Sequence, residues 1–124
     1  MSAILNLCML EIQVEELRPG VIVIRLSGKL IMGPESAALE SMVNEHLEAG
    51  ARHLVFNLGE LKQIDSTGIG RFISTYNRLL QLAGTLGMAA AKPVVRQSFR
   101  VTRLDTVFKF YDSVAEAVAA SPAG

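Results

Sequence analysis

The segment Ile64-Asp65-Ser66-Thr67-Gly68-Ile69-Gly70 gathers the residue types best able to do chemistry in this chain: a carboxylate, two adjacent hydroxyls and two glycines. It lies between a short apolar run and a helical apolar stripe, where a loop meets a helix N-terminus. There Asp65 or Ser66 can accept a hydrogen bond from a free N–H of the first turn, a role that requires no function at all. The glycines ask for more. Each costs a helix interior about 0.8–1.0 kcal/mol relative to Ala, so a bare backbone is needed there, against the helix's own sheet or against a partner. Ala at Gly68 or Gly70 is therefore expected to raise helix stability by up to about 1 kcal/mol while intruding on a partner that approaches there. The same helix end favours a phosphate, through its free N–H groups and its positive dipole end.

Rival chemistries find less support. Gly68-Ile69-Gly70 begins like a dinucleotide fingerprint, but the next position that must be glycine is Ile73. No Walker A lysine pattern is present. A serine hydrolase built on Ser66 needs a base, and the histidines are His46 and His53. His46 shares an apolar helical stripe and reads as a packed or boundary residue. His53 stands beside Arg52 at a strand entrance and reads as a surface residue. Asp65, adjacent to Ser66, is poorly placed to orient a histidine that in turn contacts Ser66. The chain is not expected to be an enzyme. Cys8 lies on the apolar side of an alternating strand and reads as an inert buried thiol. Met9, Met32, Met42 and Met88 share no spacing, and core filling is expected for them.

The elements that position this segment follow from periodicity. Cys8, Leu10, Ile12 and Val14 alternate with Glu11, Gln13 and Glu15, marking a half-buried strand. Turn chemistry at Arg18-Pro19-Gly20 leads to the β-branched run Val21 to Leu26, so the two form an antiparallel hairpin. Gly28 to Gly33 reads as a connecting loop, and Pro34 suits a helix's first turn. Leu39, Met42, Val43, His46 and Leu47 make its stripe, and Gly50 ends it. Leu54 to Leu58 has the pattern of a strand covered on both faces, and Gly59 to Gln63 reads as a loop. The helix from about Ser66 carries Ile69, Phe72, Ile73, Tyr76, Leu79, Leu80 and Ala83, and Gly84 stops it. Thr85 to Ala90 forms a strand. Lys92-Pro93 opens a helix with Val95, Phe99 and Thr102 on one side, and Val107 to Tyr111 forms a short last strand. Ser113-Val114-Ala115-Glu116 matches a capping box and starts a final helix. Strands alternating with helices imply an α/β domain whose right-handed crossovers make the later strands parallel.

Composition bounds the partners. The 124 residues fit a single domain spanning 1–124, with a core over about residues 8–120. Twelve basic residues balance twelve acidic ones, so neither a nucleic acid nor an acidic membrane is an expected partner. Aromatics are only 6% and tryptophan is absent, which argues against a stacking platform for bases. The lone cysteine excludes an intrachain disulfide and a multi-cysteine metal site, and no cofactor is implied. Met1 to Leu10 has no basic leader region and falls short of the roughly 20 apolar residues of a membrane span, so a cytoplasmic location is expected.

From about Leu10 to Val118 the chain resembles the STAS domain family, specifically the stand-alone bacterial anti-sigma factor antagonists. The resemblance rests on the strand and loop from Leu54, followed by Asp65-Ser66-Thr67-Gly68-Ile69-Gly70 opening a helix. Ser27-Gly28 closing the second strand, the Pro34 helix start and Tyr111-Asp112-Ser113 before the last helix add to it. It implies a STAS fold: an α/β mixed sheet of about four to five strands with about four helices. It also implies that a histidine-kinase-like serine kinase, doubling as anti-sigma factor, phosphorylates Ser66, with Thr67 the lesser candidate. The unphosphorylated protein then sequesters this kinase, through Asp65, Ser66, Thr67, Gly68, Ile69 and Gly70, and a metal-dependent phosphatase resets it. A monomer or weak dimer is expected. Two departures stand out. Many members carry Gly-Glu-Leu-Asp where this chain has Gly28-Lys29-Leu30-Ile31, so the acidic partner-binding residue is replaced by Ile31. Many also carry an aspartate where this chain has Asn57. The alternative is a stressosome-like scaffold subunit, or a partner-switching regulator that does not act on a sigma factor.

Overall fold

A computed structural model describes residues 2–6 and 9–121. The elements run β1 (Ser2–Asn6), β2 (Leu10–Arg18), β3 (Val21–Leu30), α1 (Pro34–Glu48), β4 (His53–Ile64), α2 (Ser66–Gln81), β5 (Thr85–Ala89), α3 (Pro93–Val101), a 3-10 turn (Leu104–Thr106), β6 (Lys109–Tyr111) and α4 (Val114–Ala120). The six strands form one mixed sheet in sequential order, β1 to β6. β1, β2 and β3 are antiparallel neighbours, and β3 to β6 are parallel. The expected mixed α/β architecture is present, with six strands in place of the four to five anticipated.

Sequential order with right-handed crossovers puts α1, α2 and α3 on the same face. Their stripes close one core: Leu39, Val43 and Leu47 from α1, Ile69, Phe72 and Leu79 from α2, Val95 and Phe99 from α3. The matching sheet residues alternate, with Ile12, Ile24, Leu54, Phe56, Leu58 and Met88 facing these helices. Val23, Val55 and Ala89 face the other way, where α4 covers them with Ala117. That explains why β4 reads as continuously apolar. Phe56 and Phe72 meet edge to face at 4.9 Å between ring centroids, fixing α2 on the centre of the sheet.

Several boundaries differ from the sequence reading. β1 lies in a stretch that shows no alternation of its own, and it pairs with Glu11 to Glu15 of β2. Gly28 to Leu30 continues β3, and Gly59 to Ile64 continues β4, because these segments pair with each other across two irregularities in register. Lys29, Glu60, Lys62 and Gln63 are exposed, so polarity masks their strand character. The register shift after Gly28 needs glycine: Gly28 has φ +108, and a Cβ there would run into the Met9 carbonyl oxygen. Thr102 is exposed, since it caps α3 instead of sharing its buried side. Ile73 and Leu80 are exposed on α2, and Ala83 lies past its end in the left-handed region at φ 58. Met88 fills the core as expected, but Met9 and Met32 do not; Met32 is 76% exposed because it sits on the β3–α1 connection, beyond the reach of either core. The Cys8 reading lies outside the described residues. No helix among the described residues is long and apolar enough to cross a membrane.

Candidate functional site

The site forms at the C-terminal end of β4, at the rim of the parallel part of the sheet. In open α/β sheets, crevices outside the carboxyl ends of strands are where ligands bind. β4 ends at Ile64, and Asp65 turns the chain with extended backbone, φ −114 and ψ −173. Its carbonyl accepts the first helical bond from Ile69 N–H at 3.0 Å. Its carboxylate divides: Oδ1 accepts from Gly68 N–H at 2.9 Å, and Oδ2 accepts from Met32 N–H at 2.8 Å. One side chain thus caps α2 and ties it to the β3–α1 connection.

This settles which residue is the cap. Asp65 takes that role, and Ser66 is left exposed at the first position of the helix. Among the described residues its hydroxyl makes no hydrogen bond. Thr67 is half-buried, and Ile69 is 6% exposed and belongs to the core. The two glycines have different surroundings. Gly68 is buried, and a Cβ there would meet the Leu30 carbonyl oxygen at 2.5 Å. Its bare backbone is required by the helix's own sheet, which corrects the expectation that Ala there is stabilising. Gly70 has open space where a Cβ would go, so its surface is free for an approaching molecule.

Partial burial pushes the Asp65 carboxyl pKa up, but N–H groups of Gly68, Met32, Thr67 and Asp65 itself outweigh it. The result lies below the ordinary carboxylate value. A carboxyl depressed on folding stabilises the fold above its unfolded pKa, and that stability is lost as pH falls through the folded value. Asp65→Asn is expected to flatten this acid limb, visible in urea melts at several pH values between about 2 and 7. Asp65→Ala should also cost about 0.5–2 kcal/mol at neutral pH through the lost cap. An unchanged acid limb in Asp65→Asn refutes the assignment.

Neither histidine approaches Ser66. His53 begins β4, and twelve residues of strand at about 3.3 Å each put it more than about 30 Å away. There its Nδ1 lies 2.8 Å from Thr85 Oγ1. Burial, then the Arg18 charge, holds its pKa below the ordinary histidine value. His46 occupies the last turn of α1, a helix whose first turn is the end nearer the site. Sequence reasoning missed a link behind the site. Arg71 pairs with Glu40 of α1, and its Nε lies 3.4 Å from the buried Ser36 Oγ, which donates to Gly33 O at 3.1 Å. Partners separated by 31 residues leave no local signal for such a pair. Met32 was also missed as a neighbour of Asp65, because only its backbone N–H makes the contact.

The fold and this capped, hydroxyl-bearing helix end define a small α/β domain presenting a serine at a strand-to-helix junction. The STAS domain profile matches residues 12–117, and the chain belongs to the STAS domain family. Anti-sigma factor antagonists, a non-enzymatic group, are among its homologues across most of its length. The anti-sigma F factor antagonist of Paenibacillus polymyxa is 27% identical over 109 residues, covering 88% of this chain and 92% of that protein. An anti-sigma factor antagonist from Mycobacterium paratuberculosis has 26% identity and a TM-score of 0.77, with 98% of this chain and 94% of that one covered. The fold is also that of the antagonist SpoIIAA in its unphosphorylated form: TM-score 0.76 at 24% identity, over 86% of this chain and 92% of that one. SpoIIAA in its phosphorylated form superposes with a TM-score of 0.70 at 23% identity, covering 87% of this chain and 96% of that one.

Proposed function

We propose that this chain is a cytoplasmic anti-sigma factor antagonist whose binding is switched by phosphate on Ser66. Unmodified, it sequesters a serine kinase of histidine-kinase-like fold that doubles as the anti-sigma factor; a metal-dependent phosphatase restores it after phosphorylation. The observation that carries this reading is the exposed Ser66 hydroxyl, left free at the start of α2 because Asp65 takes the cap. The relatives support it: one is an anti-sigma F factor antagonist, and SpoIIAA exists in unphosphorylated and phosphorylated forms. The partner-facing residues are then Ser66, Thr67 and Gly70, with Asp65, Gly68 and Ile69 holding them in place.

The acceptor is tested by incubating wild type, Ser66→Ala and Thr67→Ala with ATP and an anti-sigma serine kinase of histidine-kinase-like fold from the same organism. Mass spectrometry is expected to place phosphate on Ser66 in wild type and in Thr67→Ala, with none in Ser66→Ala. Undiminished phosphate in Ser66→Ala refutes the reading. Absence of phosphate and of kinase binding in all three favours the scaffold role.

A further inference from the structure

We propose that β1 pairs with β1 of a second copy of this chain, joining two sheets about a two-fold axis at Ile4. This inference does not depend on the phosphorylation reading. β1 is the terminal strand of the sheet and pairs on one side only, with β2, among the described residues. Exposed edges are ordinarily blunted by charge, proline or a bulge. β1 reads Ser-Ala-Ile-Leu-Asn, carries neither charge nor proline, and pairs with β2 without a register shift. The opposite edge, β6, is guarded: it has only three residues and begins with the exposed Lys109. Pairing of β1 with β6 into an open chain of molecules is therefore disfavoured, and the closed two-fold pair remains.

The strand suits its own copy. In an antiparallel pair centred on Ile4, Ile4 stands opposite Ile4, Ala3 opposite Leu5, and Ser2 opposite Asn6. Ile4 is 66% exposed in the single chain. It borders an open depression on the outer sheet face with Leu17, which is 43% exposed. Directly opposed side chains lie about 4.5–5.5 Å apart at Cβ, so pairing covers both copies of Ile4. The flanking acids do not oppose it. Glu11 and Glu15 sit one strand back on β2, so acids of the two copies are three strand spacings apart, about 14 Å. That exceeds the screening length of about 8 Å at physiological salt.

A five-residue edge falls short of the roughly 800 Å² per partner typical of stable complexes, so the dimer is weak. Sedimentation equilibrium of the full chain from about 10 μM to about 1 mM should show the mass rising from one chain toward two, for a dissociation constant of about 0.1–1 mM. Ile4→Lys sets like charges opposite each other at the axis and should hold the protein monomeric throughout. Circular dichroism checks that it folds; if it does not, Asn6→Lys serves, with a shift toward monomer expected. Wild type at one chain's mass across the range overturns the proposal. So does a dimer that folded edge variants leave unweakened, which would place the contact on another surface.

Discussion

Phosphorylation of Ser66 is expected to lower affinity for the serine kinase by about a hundredfold or more while leaving the fold intact. A phosphoserine carries about −1.5 to −2 charges at pH 7. At the α2 N-terminus, that charge is locally favourable by about 0.3–1 kcal/mol, with the neighbouring Asp65 carboxylate opposing it in part. Thermal melting should therefore change little. In a dry interface the balance reverses, since an unpaired buried anion costs several kcal/mol, and each 1.4 kcal/mol is about tenfold in affinity. Ser66→Ala should bind constitutively and resist phosphorylation. Ser66→Asp should imitate the modified state incompletely, having less charge. Calorimetric titration of the modified and unmodified proteins decides it; equal affinities would sink the switch.

The second large effect is on stability, and the two glycines should give opposite signs. Gly68→Ala is expected to destabilise by about 1–3 kcal/mol, the usual range for overpacking. The new Cβ would meet the Leu30 carbonyl oxygen at 2.5 Å and Ile64 Cγ1 at 2.8 Å, and backbone at the sheet end has little room to yield. The gain in helix propensity, at most about 1 kcal/mol, offsets only part of this. At Gly70 no heavy atom beyond its chain neighbours and the surrounding helix backbone lies within 4 Å of the added Cβ, and φ is not positive, so Gly70→Ala should stabilise by up to about 1 kcal/mol. Urea denaturation measures both. Stabilisation of Gly68→Ala would contradict the packing described. Kinase affinity of Gly70→Ala then reports whether a partner reaches that turn, with weakened binding expected.

Much of this fold was legible in the chain because its signals are local. The alternation of Leu10, Ile12 and Val14 against Glu11, Gln13 and Glu15 can be satisfied only by a strand with one buried face, and those three apolar residues are buried. Leu39, Val43 and Leu47, and Ile69, Phe72 and Leu79, repeat at helical spacing and form the seams against the sheet. Pro34, Pro93 and Ser113 begin or cap helices through their own backbone geometry or hydroxyl, whatever lies beyond them. The start of α2, with Asp65, Ser66 and the glycines, was likewise visible as a helix N-terminus of unusual composition.

The remainder depended on contacts between distant segments. The ends of β3 and β4 are polar, and they are strands only because each supplies the other's backbone partners. Local sequence left Asp65 and Ser66 equally able to cap α2. The choice fell to Asp65 because its second carboxylate oxygen also reaches Met32 N–H, 33 residues earlier, and a lone hydroxyl cannot serve two such donors at that span. Gly68 and Gly70 look equivalent in the chain, yet one lies against Leu30 and the other faces open space. Residue types and their periods thus determined most of the elements and placed the candidate hydroxyls at the start of α2. The tertiary structure decided which residue caps α2 and which glycine is indispensable, because both depend on where the β3–α1 connection is brought against α2.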